Sequence, residues 1–290
     1  MTDGGDRGDL TPQPPLPLSA PERGRGGEVA PVSSISILGV RVDDVTYAET
    51  LDLITGWIDE GRAGNGSPHV VTTPNPEFVM QARRDPAFRA LLGRTALNVP
   101  DGVGLLLAAK LRRQRFRDHV RGSDLTERLA ALGARRGHRW YLLGAADGIA
   151  RRAADVLQTR YPGLTIAGAA PGSPHPQDDA ETWAMVRAAG PVDLILVAYG
   201  APLQERWLAR SLGPLGIPVG IGVGGVFNFV SGTVPRAPRW MQRLELEWLH
   251  RLVVQPWRWK RQLDLPKFLV LAALEAGRRG IIARYRKNEM

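Results

Sequence analysis

From Ile35 onward, short apolar runs of three to six residues alternate with amphipathic stretches of ten or more. The first run, with Ile35 and Ile37 between serines and then Val40 and Val42, predicts a short strand or hairpin. Thr46 and Glu49 form a T-x-x-E capping box, and Leu51, Ile54 and Ile58 follow at helical spacing, which predicts a helix to about Asp59. His69-Val70-Val71 reads as a buried strand, and Pro76 suits the first turn of a following helix, where its missing N–H is not needed. Further strands are predicted at Ala96–Val99, His138–Leu143, Leu164–Ala167, Leu194–Ala198 and Val219–Val223. Helices are expected between them: Gly102–Arg112 with Leu106 and Leu107 inward, then one after Gly122-Ser123-Asp124 to about Arg136, Ala180–Ala189 and Glu205–Leu212. Strands separated by helical stretches of this length form parallel βαβ units, so the fold class is α/β, a Rossmann-like mostly parallel sheet with helices on both faces.

Both ends depart from this pattern. Residues 1–33 hold six prolines and six glycines with almost no large apolar side chain, too little to offset the entropy of ordering, so a disordered tail is expected. Residues 34–233 make the α/β domain, and 234–290 a helical, basic appendage punctuated by Pro235, Pro238, Pro256 and Pro266. Between Arg239 and Val253 two stripes run at spacing four, apolar (Trp240, Leu244, Trp248, Leu252) and charged (Arg239, Arg243, Glu247, Arg251). The apolar side is expected to pack and the charged side to present cations.

Charge sharpens the reading of the appendage. The chain carries +9, and the segment from Val234 to Met290 holds thirteen basic against five acidic residues, which leaves the rest nearly neutral. Four tryptophans in that segment interleave with the cations, which suits a phospholipid headgroup layer or nucleic acid. The apolar helix after Pro266 is too short to span a bilayer but can lie on its surface. A basic start before an apolar core is missing, so no signal peptide is predicted, and no uncharged apolar run of about 18 residues marks a spanning helix. The chain has no cysteine, which excludes disulfides and thiolate metal sites and fits a reducing compartment. Its five histidines are scattered, there is no D-x-D, and no metal is predicted.

Candidate chemistry gathers directly after the strands, where an open α/β sheet binds its ligands. Thr73 and Asn75 lie between a strand and a helix, where hydroxyl, amide and helix N–H groups can face an anion or a sugar, or simply make a turn. Asp101 in Pro-Asp-Gly can be a general base or a helix cap. Gln204, after Asp193–Ala198, can donate and accept at once. Gly220–Gly225 satisfies G-x-G-x-x-G but does not follow the first strand, and Glu245, about 20 residues on, falls in a predicted helix. A dinucleotide oxidoreductase is therefore disfavoured, while a tight turn at Gly224 that lets backbone approach a diphosphate is retained.

Taken together, TPNPEFVMQAR, VPDGVGL, RGSDL, YGAPLQERWL, GVGGVFNFVSGTVPRAPRW and LEWLHRLVVQPWRWKR resemble, in order and spacing from about Ile35 to about Arg261, the WecG/TagA/CpsF family of bacterial glycosyltransferases. The resemblance implies a metal-independent inverting enzyme without cofactor that moves an N-acetylmannosamine-like hexose from a UDP-sugar to a polyprenyl-diphosphate-linked saccharide. It implies Asp101 as base, Thr73, Asn75 and Gln204 around donor and acceptor, and a nucleotide-facing turn at Gly224 and Asn228, where the family more often has aspartate. Arg236, Arg251 and Arg258 match positions suited to neutralising a diphosphate. Glu245 stands where the family usually has glycine in G-L-E-W. The expected place is the cytoplasmic face of the membrane, peripherally bound to anionic lipid, in cell-wall or surface polysaccharide synthesis. A homo-oligomer is compatible with this reading, and a basic nucleic-acid- or membrane-binding module without catalysis is the alternative.

Overall fold

The computed structural model describes residues 32–256, 259 and 263–288. Most of the predicted tail, and Arg258 among the predicted site residues, lie outside these.

Strands β1 (Ser34–Ile37) and β2 (Val40–Asp43) form an antiparallel hairpin, turning through Leu38 and Gly39 at φ 49° and 85°. Helix α1 (Tyr47–Arg62) starts on the predicted capping box: Thr46 accepts from the Glu49 amide, and Glu49 reaches back to Thr46. Then come β3 (His69–Thr72), α2 (Pro76–Arg84), α3 (Pro86–Arg94), β4 (Leu97–Asn98) and α4 (Val103–Leu111). Next are α5 (Gly122–Arg136), β5 (Arg139–Gly144), α6 (Ile149–Arg160), β6 (Thr165–Ala170) and α7 (Asp179–Ala188). The sheet closes with β7 (Leu194–Ala198), α8 (Leu203–Leu215) and β8 (Val219–Gly222), and the short α9 (Val226–Val230) follows.

The six strands pair in the order β4-β3-β8-β7-β5-β6, all parallel, as the alternation predicted. The last strand to form, β8, lies beside the first, β3, so chain order changes direction there. Such a switch point leaves a crevice at the carboxyl ends of the strands. Here those ends lead into Thr73, Asp101, Tyr199 and Val223. Beneath them β7 is buried throughout, as expected of a strand covered by helices on both faces.

Two expectations are corrected. In α4 the inward residues are Leu105, Ala108 and Ala109, which pack with Phe268 and Ala272, while Leu106 is only half-buried and Leu107 is 43% exposed. The predicted 239–253 helix breaks into α10 (Arg239–Arg243) and α11 (Glu247–Val254), because Glu245 between them takes φ 59°. The apolar stripe packs only in its second half: Trp240 and Leu244 are 59% and 62% exposed, whereas Trp248 lines a cavity and Leu252 is half-buried. The charged stripe divides the same way, with Arg239 and Arg243 exposed and Glu247 and Arg251 lining that cavity.

The final helix, α12 (Asp264–Asn288), lies against α4 and α2. Phe268 and Ala272 are buried in one apolar cluster with Phe78, Leu105 and Ala108. Burying a phenylalanine contributes roughly 1.5–3 kcal/mol. Arg84 grips Asp264 through two bonds of 2.9 and 2.7 Å and fixes the start of the helix. No helix of the described residues is long and apolar enough to cross a membrane.

Candidate functional site

Asp101 leaves β4 with its N–H donated to Pro74 O at 3.0 Å, which ties the Pro-Asp-Gly turn to the Thr-Pro-Asn turn after β3. Its Oδ2 accepts the Gly122 amide at 3.3 Å. A Cβ on Gly122 would lie 3.5 Å from Asp101 Oδ2 and 3.6 Å from Thr73 Oγ1, so both side chains converge on one spot that glycine keeps open. Burial pushes the Asp101 carboxyl above its ordinary range; the Glu247 charge adds to this, and His119, the Gly122 N–H and Arg251 oppose it.

Two cavities meet at this carboxylate. One, of about 320 Å³, extends over the ends of β3, β7 and β8 past Thr73, Gly200, Gly224 and Asn228. The other, of about 180 Å³, runs under the segment after Pro235, past Phe229, Arg236, Ala237, Trp248 and Leu265. Asn75, Glu77, Asp101, Val223, Gly225 and Arg251 border both.

The predicted residues take distinct places around them. Thr73 is buried, and its hydroxyl donates to Gly222 O at 3.3 Å. Asn75 caps α2 by accepting the Phe78 amide at 3.1 Å, so its oxygen is structural while the residue still borders both cavities. Gln204 is 1% exposed: Oε1 accepts from the Gly200 and Gly224 amides at 3.0 Å each, and Nε2 donates to Glu205 Oε1 at 2.7 Å. It braces the loops after β7 and β8 to each other. Gly224 has φ 54°, which a residue without Cβ adopts freely. Asn228 borders the larger cavity.

Arg251 passes close over Gly225, where a Cβ would come within 2.5 Å of Nη2, and lies 4.8 Å above the Phe229 ring. It borders both cavities. Arg236 is held by two acids: Asp124 accepts from it at 2.6 Å and Glu247 at 3.3 Å, so its charge is matched within the protein. Asp124 and Glu247 stand against its desolvation and hold its guanidinium above the usual range.

Sequence reasoning gave no role to His119, Arg121, Asp124, Glu245 or Glu247, which link the globular domain to the segment after Pro235. Arg121 pairs with Glu245, Glu247 and Asp124. His119 Nε2 accepts the Gly102 amide at 2.8 Å, and Nδ1 lies 3.1 Å from Glu245 Oε2. Only the RGSDL stretch hinted at this network, through Arg121 and Asp124. Glu205 was also missed. It is fully buried beside Gln204, and burial raises its carboxyl to about 7.

Comparison with known proteins agrees with this geometry. The chain is similar to N-acetylglucosaminyldiphosphoundecaprenol N-acetyl-beta-D-mannosaminyltransferases of three bacteria. The Bacillus subtilis protein is 34% identical over 206 residues, which cover 71% of this chain and 79% of that protein. That of Bacillus spizizenii is 30% identical over 228 residues, 79% and 86% of the two chains. The Staphylococcus aureus protein is 27% identical over 239 residues, 82% and 91%. A sequence profile of the "Glycosyl transferase WecG/TagA/CpsF family" matches residues 35–281, a span that takes in every strand, both cavities and Asp101, and this chain is therefore a glycosyltransferase of the WecG/TagA/CpsF family.

Proposed function

We propose that this glycosyltransferase transfers an N-acetylmannosamine-like hexose from a UDP-sugar to a polyprenyl-diphosphate-linked N-acetylglucosamine, with inversion and without a metal ion, in cell-wall or surface polysaccharide synthesis. The observation that carries this reading is Asp101 at the junction of two cavities, one for each substrate. The larger, with its glycine turns and polar rim, suits the nucleotide sugar. The smaller, flanked by Phe229, Trp248 and Leu265, suits the lipid-linked acceptor.

In this mechanism the acceptor hydroxyl attacks the anomeric carbon while Asp101 takes its proton, and the bond to the diphosphate breaks to release UDP. One displacement on an α-linked nucleotide sugar gives a β linkage, in keeping with the relatives' names. Burial supports Asp101 as base, because a carboxylate with a raised pKa accepts a proton more readily. Thr73 and Asn75 hold sugar hydroxyls. Gln204 keeps the donor loops in register, and Asn228 and the turn at Gly224 face the nucleotide. Arg251, bordering both cavities, meets the leaving diphosphate, and the family resemblance gives Arg258, outside the described residues, the same role. Arg236 holds that segment in place through Asp124 and Glu247.

The reading places residues 234–290 on the cytoplasmic face of the membrane as a peripheral anchor. Support comes from exposed Trp240, Leu244, Val253, Val270 and Leu274 among basic residues. The test is incubation with a panel of UDP-sugars and a polyprenyl-diphosphate N-acetylglucosamine acceptor, with and without chelator. UDP release with a β-linked disaccharide-lipid product, insensitive to chelator, is expected; turnover from no UDP-sugar overturns the assignment.

A further inference from the structure

Among the described residues Glu245 is one of four non-glycine residues with positive φ, at 59°, and it stands in the turn between α10 and α11. A side chain held in that region against its preference points to a constraint from its surroundings. Here the constraint is visible. One carboxylate oxygen accepts from Arg121 Nη2, and the other lies 3.1 Å from His119 Nδ1. On the far side of the ring, Nε2 accepts the Gly102 N–H at 2.8 Å. A nitrogen that accepts carries no proton, so the neutral imidazole bears its hydrogen on Nδ1, the ring nitrogen 3.1 Å from Glu245 Oε2.

Gly102 directly follows Asp101, has φ 97°, and heads α4 without a side-chain cap. The peptide between Asp101 and Gly102 is therefore held by the Asp101 N–H to Pro74 O on one side and the Gly102 N–H to His119 on the other. We propose that Glu245 is a positioning residue for Asp101: it fixes the His119 tautomer and, through the Gly102 amide, the turn that aims the Asp101 carboxylate between the cavities. The side chains of His119 and Glu245 are 13% and 32% exposed, so water competes only weakly for these bonds. Seating of the segment after Pro235 thereby becomes a condition for a correctly aimed base. This inference rests on the reading of Asp101 as the base.

The test compares Glu245→Gly and Glu245→Gln in the full chain, because glycine suits the turn better than glutamate while glutamine keeps an acceptor for Nδ1–H. Glu245→Gly is expected to lower kcat on the order of tenfold with little change in KM, since a misaimed base affects the chemical step more than binding. Hydrogen exchange at the Gly102 amide should quicken by about tenfold as its acceptor loses its fixed orientation. Glu245→Gln should keep both quantities within about threefold, because its amide oxygen still accepts from the imidazole. Unchanged kcat and unchanged Gly102 exchange in Glu245→Gly overturn the proposal. Equal losses in the two variants also overturn it, since they assign the effect to the charge on Arg121. Exchange at Gly102 does not depend on what Asp101 does. Fast exchange in Glu245→Gly beside a fully active Asp101→Asn protein would retire the base assignment and keep the contact chain, and slow exchange beside an inactive Asp101→Asn would do the reverse.

Discussion

Gln204 Nε2 donates to Glu205 Oε1 at 2.7 Å inside the wall between the loops that follow β7 and β8, and this bond determines which end of the amide meets Gly200 and Gly224. A Cβ at Gly222 would lie 2.7 Å from both Gln204 Nε2 and Glu205 Oε1, so the pair fills the space that glycine leaves in β8.

The first prediction concerns Glu205. Its folded-state pKa, raised by burial to about 7, lies above its value in the unfolded chain. The stability it contributes is present below the unfolded pKa and is lost as pH rises through the folded one. Glu205→Gln keeps an acceptor for Gln204 and removes the ionisation. Between pH 5 and pH 8 wild type should therefore lose on the order of 3 kcal/mol more stability than Glu205→Gln. Urea unfolding of both proteins at the two pH values measures this, and parallel curves would show that the folded-state pKa of Glu205 is not raised above its unfolded value.

Asp101→Asn should reduce turnover on the order of 10²–10⁴-fold, the usual contribution of a positioned base. Its stability at neutral pH should be equal or greater, because the raised pKa means that the native state disfavours the ionised form it replaces. In wild type, kcat should fall as pH drops through the Asp101 pKa. Full turnover in Asp101→Asn, measured as UDP release, would remove it from the mechanism.

The sheet was legible because its strands are short apolar runs between helices with readable caps: Thr46 with Glu49, and Asn75 before Pro76, mark their helix starts without tertiary information. Asp101, Thr73 and Gly224 were legible for a related reason, since each directly follows a strand and the strand ends converge. The appendage was not. Amphipathicity shows that one side of a helix differs from the other, but not which side the protein covers, and here Glu247 of the charged side meets Arg121 while Trp240 is left outside. The link from Glu245 to His119 spans more than a hundred residues and has no local spacing to announce it.

The outward apolar residues of that segment carry the next prediction. Trp240, Leu244 and Val253 are mostly exposed, in a segment rich in arginine, which fits insertion at a headgroup layer. The triple variant Trp240→Ser, Leu244→Ser, Val253→Ser removes no described ion pair and should fold normally. Partitioning into vesicles containing anionic lipid should drop by on the order of tenfold or more, because each buried apolar side chain contributes roughly 1 kcal/mol or more. Turnover on a short-chain, water-soluble acceptor should be retained. Unchanged co-sedimentation with vesicles would move the membrane contact elsewhere on the protein.

At the opposite, amino-terminal edge of the sheet, Asp193 is almost fully buried between Arg62 and Arg139, with contacts of 2.7 and 2.6 Å, and also accepts the Arg139 amide at 2.7 Å. Burial alone would raise its pKa, but the two guanidinium groups and the amide outweigh it and hold the carboxyl well below the usual range. A depressed folded-state pKa contributes stability that is present above the unfolded value and lost as pH falls towards the folded one. Asp193→Asn should therefore cost on the order of 2 kcal/mol at pH 7, less than a fully buried pair because both arginines remain about a third exposed. The gap between variant and wild type should narrow as pH falls below about 4, where the unfolded chain begins to bind the proton. Turnover per folded molecule should not change, because none of these residues borders the two cavities at Asp101. Equilibrium unfolding at neutral and acidic pH tests the linkage, and a gap that stays constant would show that the folded-state pKa of Asp193 is not depressed.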